Sequence, residues 1–227
     1  MSNTTLVLGL SGSGKSTSLR NLDPKETFII NVLNKPLPFK GYKAQYKLIN
    51  YTPNEDGTYA DNGGNYYASD DYAKILNIIK AINTYRPDIK VLVLDDFQYL
   101  MCNEFMRRVG EKGFEKFNDL ALHAWSVITS LTMTRDDLYC FVLTHSDADQ
   151  NGVMKFKTIG KMLEDKVTLE GMFTCILHSL VHEGEFKFLT QYNGQCIAKS
   201  PLGMFSELFI DNDLEQVIKS MKEYADE

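Results

Sequence analysis

Residues Gly9-Leu10-Ser11-Gly12-Ser13-Gly14-Lys15-Ser16-Thr17 place glycines, hydroxyls and one lysine in the pattern G-x-x-x-x-G-K-[ST]. The chemistry of that pattern is phosphate binding. Its glycines let backbone N–H groups turn inward around phosphate oxygens, where side chains would block the approach. Lys15 is expected to reach the β and γ phosphates of a nucleoside triphosphate, and the Ser16 hydroxyl to hold Mg²⁺. The predicted cofactor-binding set is Gly9, Ser11, Gly12, Ser13, Gly14, Lys15, Ser16 and Thr17. A Gly-Ser connector without a ligand is the bland alternative, and a Lys-Ser pair in register behind a strand argues against it.

Acidic residues supply the second half of such a site. Val91-Leu92-Val93-Leu94 is a continuous apolar run, and Asp95 and Asp96 follow it. Asp95 is expected to join Ser16 in holding the metal, and Asp96 to orient or deprotonate an attacking water. A third polar cluster, Thr144-His145-Ser146, follows another apolar run. His145 or Thr144 is placed to sense the γ-phosphate, unless the histidine is simply satisfied by backbone.

These groups need strands that end together. Residues 4–8 read as a short buried strand, and residues 15–22 as a helix that Asp23-Pro24 stops. Residues 27–32 form a second strand, and Pro36 and Pro38 force an extended loop after it. A short strand is expected over 44–49, then a loop through Asn54-Glu55-Asp56-Gly57 and Asn62-Gly63-Gly64-Asn65. Ser69 or Asp70 caps a helix whose apolar face runs from Tyr72 to Ile82 and which ends at Arg86-Pro87. Residues 91–94 and 138–143 have the continuous apolar character of strands in a parallel sheet. Between them, Phe114, Phe117, Leu120, Ala121, Ala124, Trp125, Ile128 and Leu131 trace a helical core stripe. Residues 173–181, 186–191 and 195–198 read as short antiparallel strands, with Asn193-Gly194 as a hairpin turn, before a closing helix over 213–224. The fold class is α/β, a mainly parallel central sheet flanked by helices with an antiparallel C-terminal extension. One domain over 1–227 is expected: a nucleotide-binding core (1–170), the extension (171–200), and a tail with the last helix (201–227).

Composition narrows the partners. The net charge of −6 and pI near 5.3 argue against a surface coated for duplex nucleic acid. Lys35, Lys40, Lys43 and Lys47, or Lys155, Lys157 and Lys161, form either a local basic channel or a solvated face. No apolar run approaches membrane-spanning length, and no basic segment followed by a long hydrophobic one opens the chain, so no membrane partner and a cytoplasmic location are expected. Cys102, Cys140, Cys175 and Cys196 are widely spaced, which suits free thiols in a reducing compartment.

In order and spacing these motifs resemble RecA-like P-loop ATPases, in particular the phage AAA-domain group that includes the Sak-type single-strand annealing ATPases. The resemblance covers nearly the whole chain. It is carried by the phosphate loop, residues 31–41 (NVLNKPLPFKG), residues 91–106 (VLVLDDFQYLMCNEFM), Thr144-His145-Ser146, Gly160-Lys161-Met162-Leu163 and Ala198-Lys199-Ser200-Pro201. It implies a RecA-like sheet, ATP with Mg²⁺, ATP hydrolysis, and a role in phage-type DNA recombination, single-strand annealing or replication in a bacterial host. It further implies a homo-oligomer in which a basic residue completes the neighbour's site, with Lys161, Arg107 and Arg108 as candidates. The expected catalytic residues are Lys15, Asp95, Asp96, His145 and Lys161. One departure stands out: Asn31 occupies the place of the water-activating glutamate of RecA, which leaves Asp96 for that role.

Two other functions fit the loop. A small-molecule or nucleotide kinase shares it but needs arginines to close over a second set of phosphates, and Arg20, Arg86, Arg107, Arg108 and Arg135 form no such cluster. A non-catalytic nucleotide-binding assembly module would bind without turnover. A GTPase is disfavoured, because Asn34-Lys35-Pro36-Leu37 lacks the aspartate of N-K-x-D. If single-stranded DNA is a partner, Tyr42, Tyr46, Tyr66 or Tyr67 would stack on its bases, unless they are packing residues.

Overall fold

A computed structural model describes residues 3–49, 52–53, 59–60 and 63–226. The loop expected at Asn54-Glu55-Asp56-Gly57, and Asn62 with it, lies outside them. The first half contains β1 (Thr4–Gly9), β2 (Thr27–Asn31), α1 (Tyr42–Gln45), β3 (Thr52–Pro53), β4 (Tyr59–Ala60), β5 (Tyr66–Ala68), α2 (Tyr72–Tyr85), β6 (Val91–Asp95) and α3 (Gln98–Arg107). The second half contains α4 (Glu115–Thr132), β7 (Tyr139–Ala148), β8 (Met154–Phe156), β9 (Cys175–His182), β10 (Glu185–Leu189), β11 (Phe209–Asp211) and α5 (Leu214–Asp226).

The central sheet runs β11-β10-β9-β1-β7-β6-β2-β5, with β8 paired to the far end of β7. From β9 through β5 the ladders are parallel; those of β10 with β9 and β11 are antiparallel. Alternation along each strand sends side chains to opposite faces. Leu6, Leu8, Phe28, Ile30, Leu92 and Leu94 pack against α2, α3 and α4. Val7, Ile29, Val93, Leu143 and Leu177 pack with Leu19, Leu22 and the apolar stripe of α5. Cover on both faces is why these strands read as unbroken apolar runs.

Several local expectations give way to tertiary contacts. The helix expected over 15–22 is a single 3₁₀ turn, Ser16–Leu19. Ser18 Oγ donates to the Lys15 carbonyl at 2.5 Å, and Arg20 reaches the carbonyls of Thr17 and Asn212. Side chains thus take acceptors that a longer helix would use. The strand expected over 44–49 is instead α1 plus one bridge, Leu48 to Tyr66. Tyr46 is buried there beside Phe39, and Asn65 holds the Lys47 N–H and the Gln45 carbonyl. Helix α2 is capped by Asp71, which accepts from Ala73 and Lys74, because Asp70 turns away to Asn103 and Arg107. Phe114 and Trp125 lie outside the core, at 83% and 43% exposure, although they match the stripe's spacing.

The C-terminal third differs most. β9 lies beside β1 and parallel to it, so it belongs to the parallel part of the sheet. The tight hairpin turn is Glu183-Gly184, whose φ angles of 52° and 83° suit a type I′ turn. Asn193-Gly194 leads into isolated bridges at Cys196 and Lys199, and the outer partner of β10 is β11. The four cysteines are free. Among the described residues no helix is long and apolar enough to cross a membrane.

Candidate functional site

The parallel register decides what meets what. Gly9 at the end of β1 stands opposite His145 of β7, and Asn31 at the end of β2 stands opposite Asp95 of β6. β7 is inserted between β1 and β6. The phosphate-loop motif, His145, both aspartates and Asn31 therefore converge where the parallel strands end, the edge at which open α/β sheets bind ligands.

The loop itself leaves its backbone open to close approach. Gly12 and Gly14 have φ of 78° and 99°, values side chains rarely adopt. A Cβ on Gly12 would point into open space, and one on Gly14 would lie 2.8 Å from the Phe186 ring. Ser179 of β9 donates to the Ser13 carbonyl at 2.7 Å and receives Asn212 Nδ2 at 3.1 Å, which ties the loop to the C-terminal strands. Lys15 is buried and donates to the Gly9 and Leu10 carbonyls at 2.9 and 2.8 Å. Burial lowers its pKa to about 8 against the opposing pull of Asp96 and Asp95. Because the 3₁₀ segment is one turn long, it offers little helix dipole, and the positive character of this edge comes from loop amides and Lys15.

Ser16 Oγ donates to both carboxylate oxygens of Asp95, at 2.9 and 3.1 Å. Burial, then the neighbouring charge of Asp96, pushes the Asp95 carboxyl up to about 6, against Ser16 and Lys15. Asp96 adopts a left-handed backbone, φ 62°, which stores strain in a non-glycine residue at the cleft. Lys35 Nζ lies 3.0 Å from Asp96 Oδ2, and His145 Nε2 lies 3.5 Å from Oδ1, too long for a good hydrogen bond. Burial would raise the Asp96 carboxyl, but His145 and Lys35 together hold it below the usual carboxylate range.

The cleft between these groups encloses about 260 Å³ and is also lined by Pro36, Pro38 and Phe186. That is under the roughly 300–1,000 Å³ of pockets that enclose a whole drug-sized ligand, and suits the polar tail of one. No family model matches the sequence, and no curated protein is significantly similar to it. The site stands on its geometry.

The loop residues, Asp95, Asp96 and His145 come together as expected. Thr144 does not join them: it is fully buried, one residue out of phase with His145 along the strand. Lys161 lines a separate groove with Phe114, Phe117 and Met162. Arg107 pairs with Asp70 at 2.6 Å, and Arg108 is held by Glu104, Glu111 and Asp119. Tyr46 and Tyr66, considered for base stacking, are buried in the fold. Sequence reasoning missed Phe186, which gives no local signal, and the place of Lys35 in this cleft, having grouped it with Lys40, Lys43 and Lys47 as a basic channel or a solvated face. Asn31, noted as a missing glutamate, holds Lys35 from both sides: its Nδ2 donates to the Lys35 carbonyl at 3.0 Å, and the Lys35 N–H donates to its Oδ1 at 3.3 Å.

The donor set fits Mg²⁺ held jointly with a nucleotide. Among the described residues no cluster of three or more His, Cys, Asp or Glu forms a metal cage. One serine hydroxyl and one carboxylate in contact are instead the sparse set that Mg²⁺ takes when phosphates and water complete its shell.

Proposed function

We propose that this protein binds ATP with Mg²⁺ and hydrolyses it. The observation that carries the proposal is the contact of Ser16 with Asp95, side by side with a glycine-lined amide turn and a buried lysine at the ends of parallel strands. Lys15 exchanges its carbonyl partners for β and γ phosphate oxygens. Ser16 and Asp95 would hold the metal, which would supply positive charge against the charge developing on the phosphates. Asp96 aims the attacking water. The water oxygen bonds to the terminal phosphorus, the bond to the bridging oxygen breaks with its electron pair leaving on ADP, and the proton passes through Asp96 to solvent. A carboxylate held low is a weak base, so proton transfer comes late, as suits a loose phosphoryl-transfer transition state.

The sequence resemblance extends the proposal to phage-type DNA recombination, single-strand annealing or replication, with a homo-oligomer and single-stranded DNA as partners. Lys15→Ala tests the core claim: fluorescent-ATP binding and phosphate release should both disappear, and unchanged binding refutes it. Binding without phosphate release by the unaltered protein would mark a non-catalytic module. Transfer of label to a nucleoside or sugar would mark a kinase.

A further inference from the structure

We propose that Lys35 is a second phosphate-binding cation, supplied by the same chain, which distinguishes nucleoside triphosphate from diphosphate and frees Asp96 as it does so. The proposal rests on the reading of the cleft as an ATP site.

The backbone carrying Lys35 is fixed. Asn31, 1% exposed and in register with Asp95, clasps its N–H and its carbonyl. Asn34 before it takes a left-handed turn, φ 54°. Pro36 after it disfavours helical backbone at Lys35, and buried Leu37 anchors the segment. The side chain, by contrast, is 54% exposed and ends in the cleft, where its ammonium lies 5.1 Å from the Tyr99 ring centre. A long, half-solvated lysine on a rigid mount can change partner without moving the fold. Its present ion pair with Asp96 is partly exposed, and such pairs are weak. A terminal phosphate, with more negative charge than one carboxylate, is the better partner.

The other cations support the assignment. Among the described residues, Lys15 and Lys35 are the lysines lining the cleft, with His145 beside them. Lys15 lies within the loop and serves the β phosphate, which diphosphate and triphosphate share, as well as the γ phosphate. Lys35 enters from the loop after β2 and meets Asp96, the residue proposed to face the attacking water, so its ammonium stands on the side of the cleft assigned to the terminal phosphate. Arg107 and Arg108 are paired within the chain and Lys161 lines another groove, whereas Lys35 already stands in this cleft, which makes it the charge-completing cation of the proposal, in cis. While Lys35 rests on Asp96, that carboxylate is masked; contact with the terminal phosphate unmasks it to face the water. Asn31 is a positioning residue for Lys35, which gives the residue at the glutamate position a task of its own.

The test compares Mg²⁺-dependent binding of ADP and of a non-hydrolysable ATP analogue to the unaltered protein, Lys35→Ala, Lys35→Gln and Lys35→Arg, with phosphate release measured over a range of protein concentrations. Loss of one charge-assisted contact should weaken the triphosphate about tenfold or more in the Ala and Gln variants. ADP affinity should stay within about twofold, and Arg should recover part of the loss. Turnover per chain should not depend on protein concentration. Equal weakening of both nucleotides, or of neither, overturns the assignment, as does turnover that rises with assembly. If the unaltered protein binds neither nucleotide, the ATP reading fails and this inference falls with it. If it binds both and Lys35→Ala discriminates as before, only the role of Lys35 is lost.

Discussion

Two buried charges of opposite sign set the behaviour of the cleft. Lys15 owes its lowered pKa mainly to desolvation, so on the proposed function a bound triphosphate, which would stabilise the ammonium form, should raise it again. Above about pH 8 the free protein has lost that proton and must regain it to bind. Triphosphate affinity should therefore hold steady below pH 8 and fall up to about tenfold per unit above it. Titration calorimetry in buffers of different ionisation enthalpy checks this, since proton uptake should appear at pH 9 and vanish at pH 7. At this scale the meeting of Ser16 with Asp95 beside Lys15 was legible from residue type and spacing, because a glycine-rich loop after a strand is a local object. Lys35 was not, because a lysine in a cluster of lysines carries no mark of the carboxylate it will meet 61 positions away.

At the level of elements, the glycine-rich loop is held from the far side by the β9–β10 hairpin, through Ser179 and Phe186. Gly14 and Gly184 both have positive φ, yet a Cβ on Gly184 meets nothing within 4 Å while one on Gly14 runs into Phe186. Gly184→Ala should cost about 1 kcal/mol of backbone strain and leave nucleotide binding unchanged. Gly14→Ala adds a clash to the same strain, so it should destabilise by roughly 1–3 kcal/mol more and abolish binding. Urea melts with nucleotide titrations on both variants separate these outcomes. The buried strands were readable as apolar runs, since burial on both faces leaves no polar alternation. Short elements were less so: the 3₁₀ turn after Lys15, α1 and β11 are set by side chains such as Arg20, Asn65 and Thr190 that reach across the fold.

For the whole molecule, the site is a cost that the rest of the fold carries. The folded chain keeps a proton on Asp95 up to about pH 6, whereas the unfolded chain releases it near the ordinary carboxylate value of 3.8. Between these values the native state binds more protons, so this group's contribution to stability falls as pH rises from about 4 to 6 and stays low above. Asp95→Asn should therefore raise the melting temperature at pH 7.5 by a few degrees while eliminating Mg²⁺-dependent nucleotide binding. It should lose that advantage at pH 4. Differential scanning fluorimetry across pH settles both halves; an unchanged melting temperature at pH 7.5 would mean that Asp95 is not held charged at a cost.

The sequence by itself determined the glycine-rich loop, the acid at the end of an apolar strand, and the alternation of strand and helix that makes an α/β fold. These are properties of neighbouring residues: local backbone freedom, hydrophobic runs and side-chain chemistry. Only the tertiary structure decided that β7 lies between β1 and β6, that β9 joins the parallel sheet, and that His145 rather than Thr144 faces the cleft. It also decided that Asn31 and Lys35 complete one wall of that cleft. Strand order and register arise from long-range pairing among similar apolar segments, and a one-residue shift in register exchanges the side chain that faces the site for the one that packs in the core.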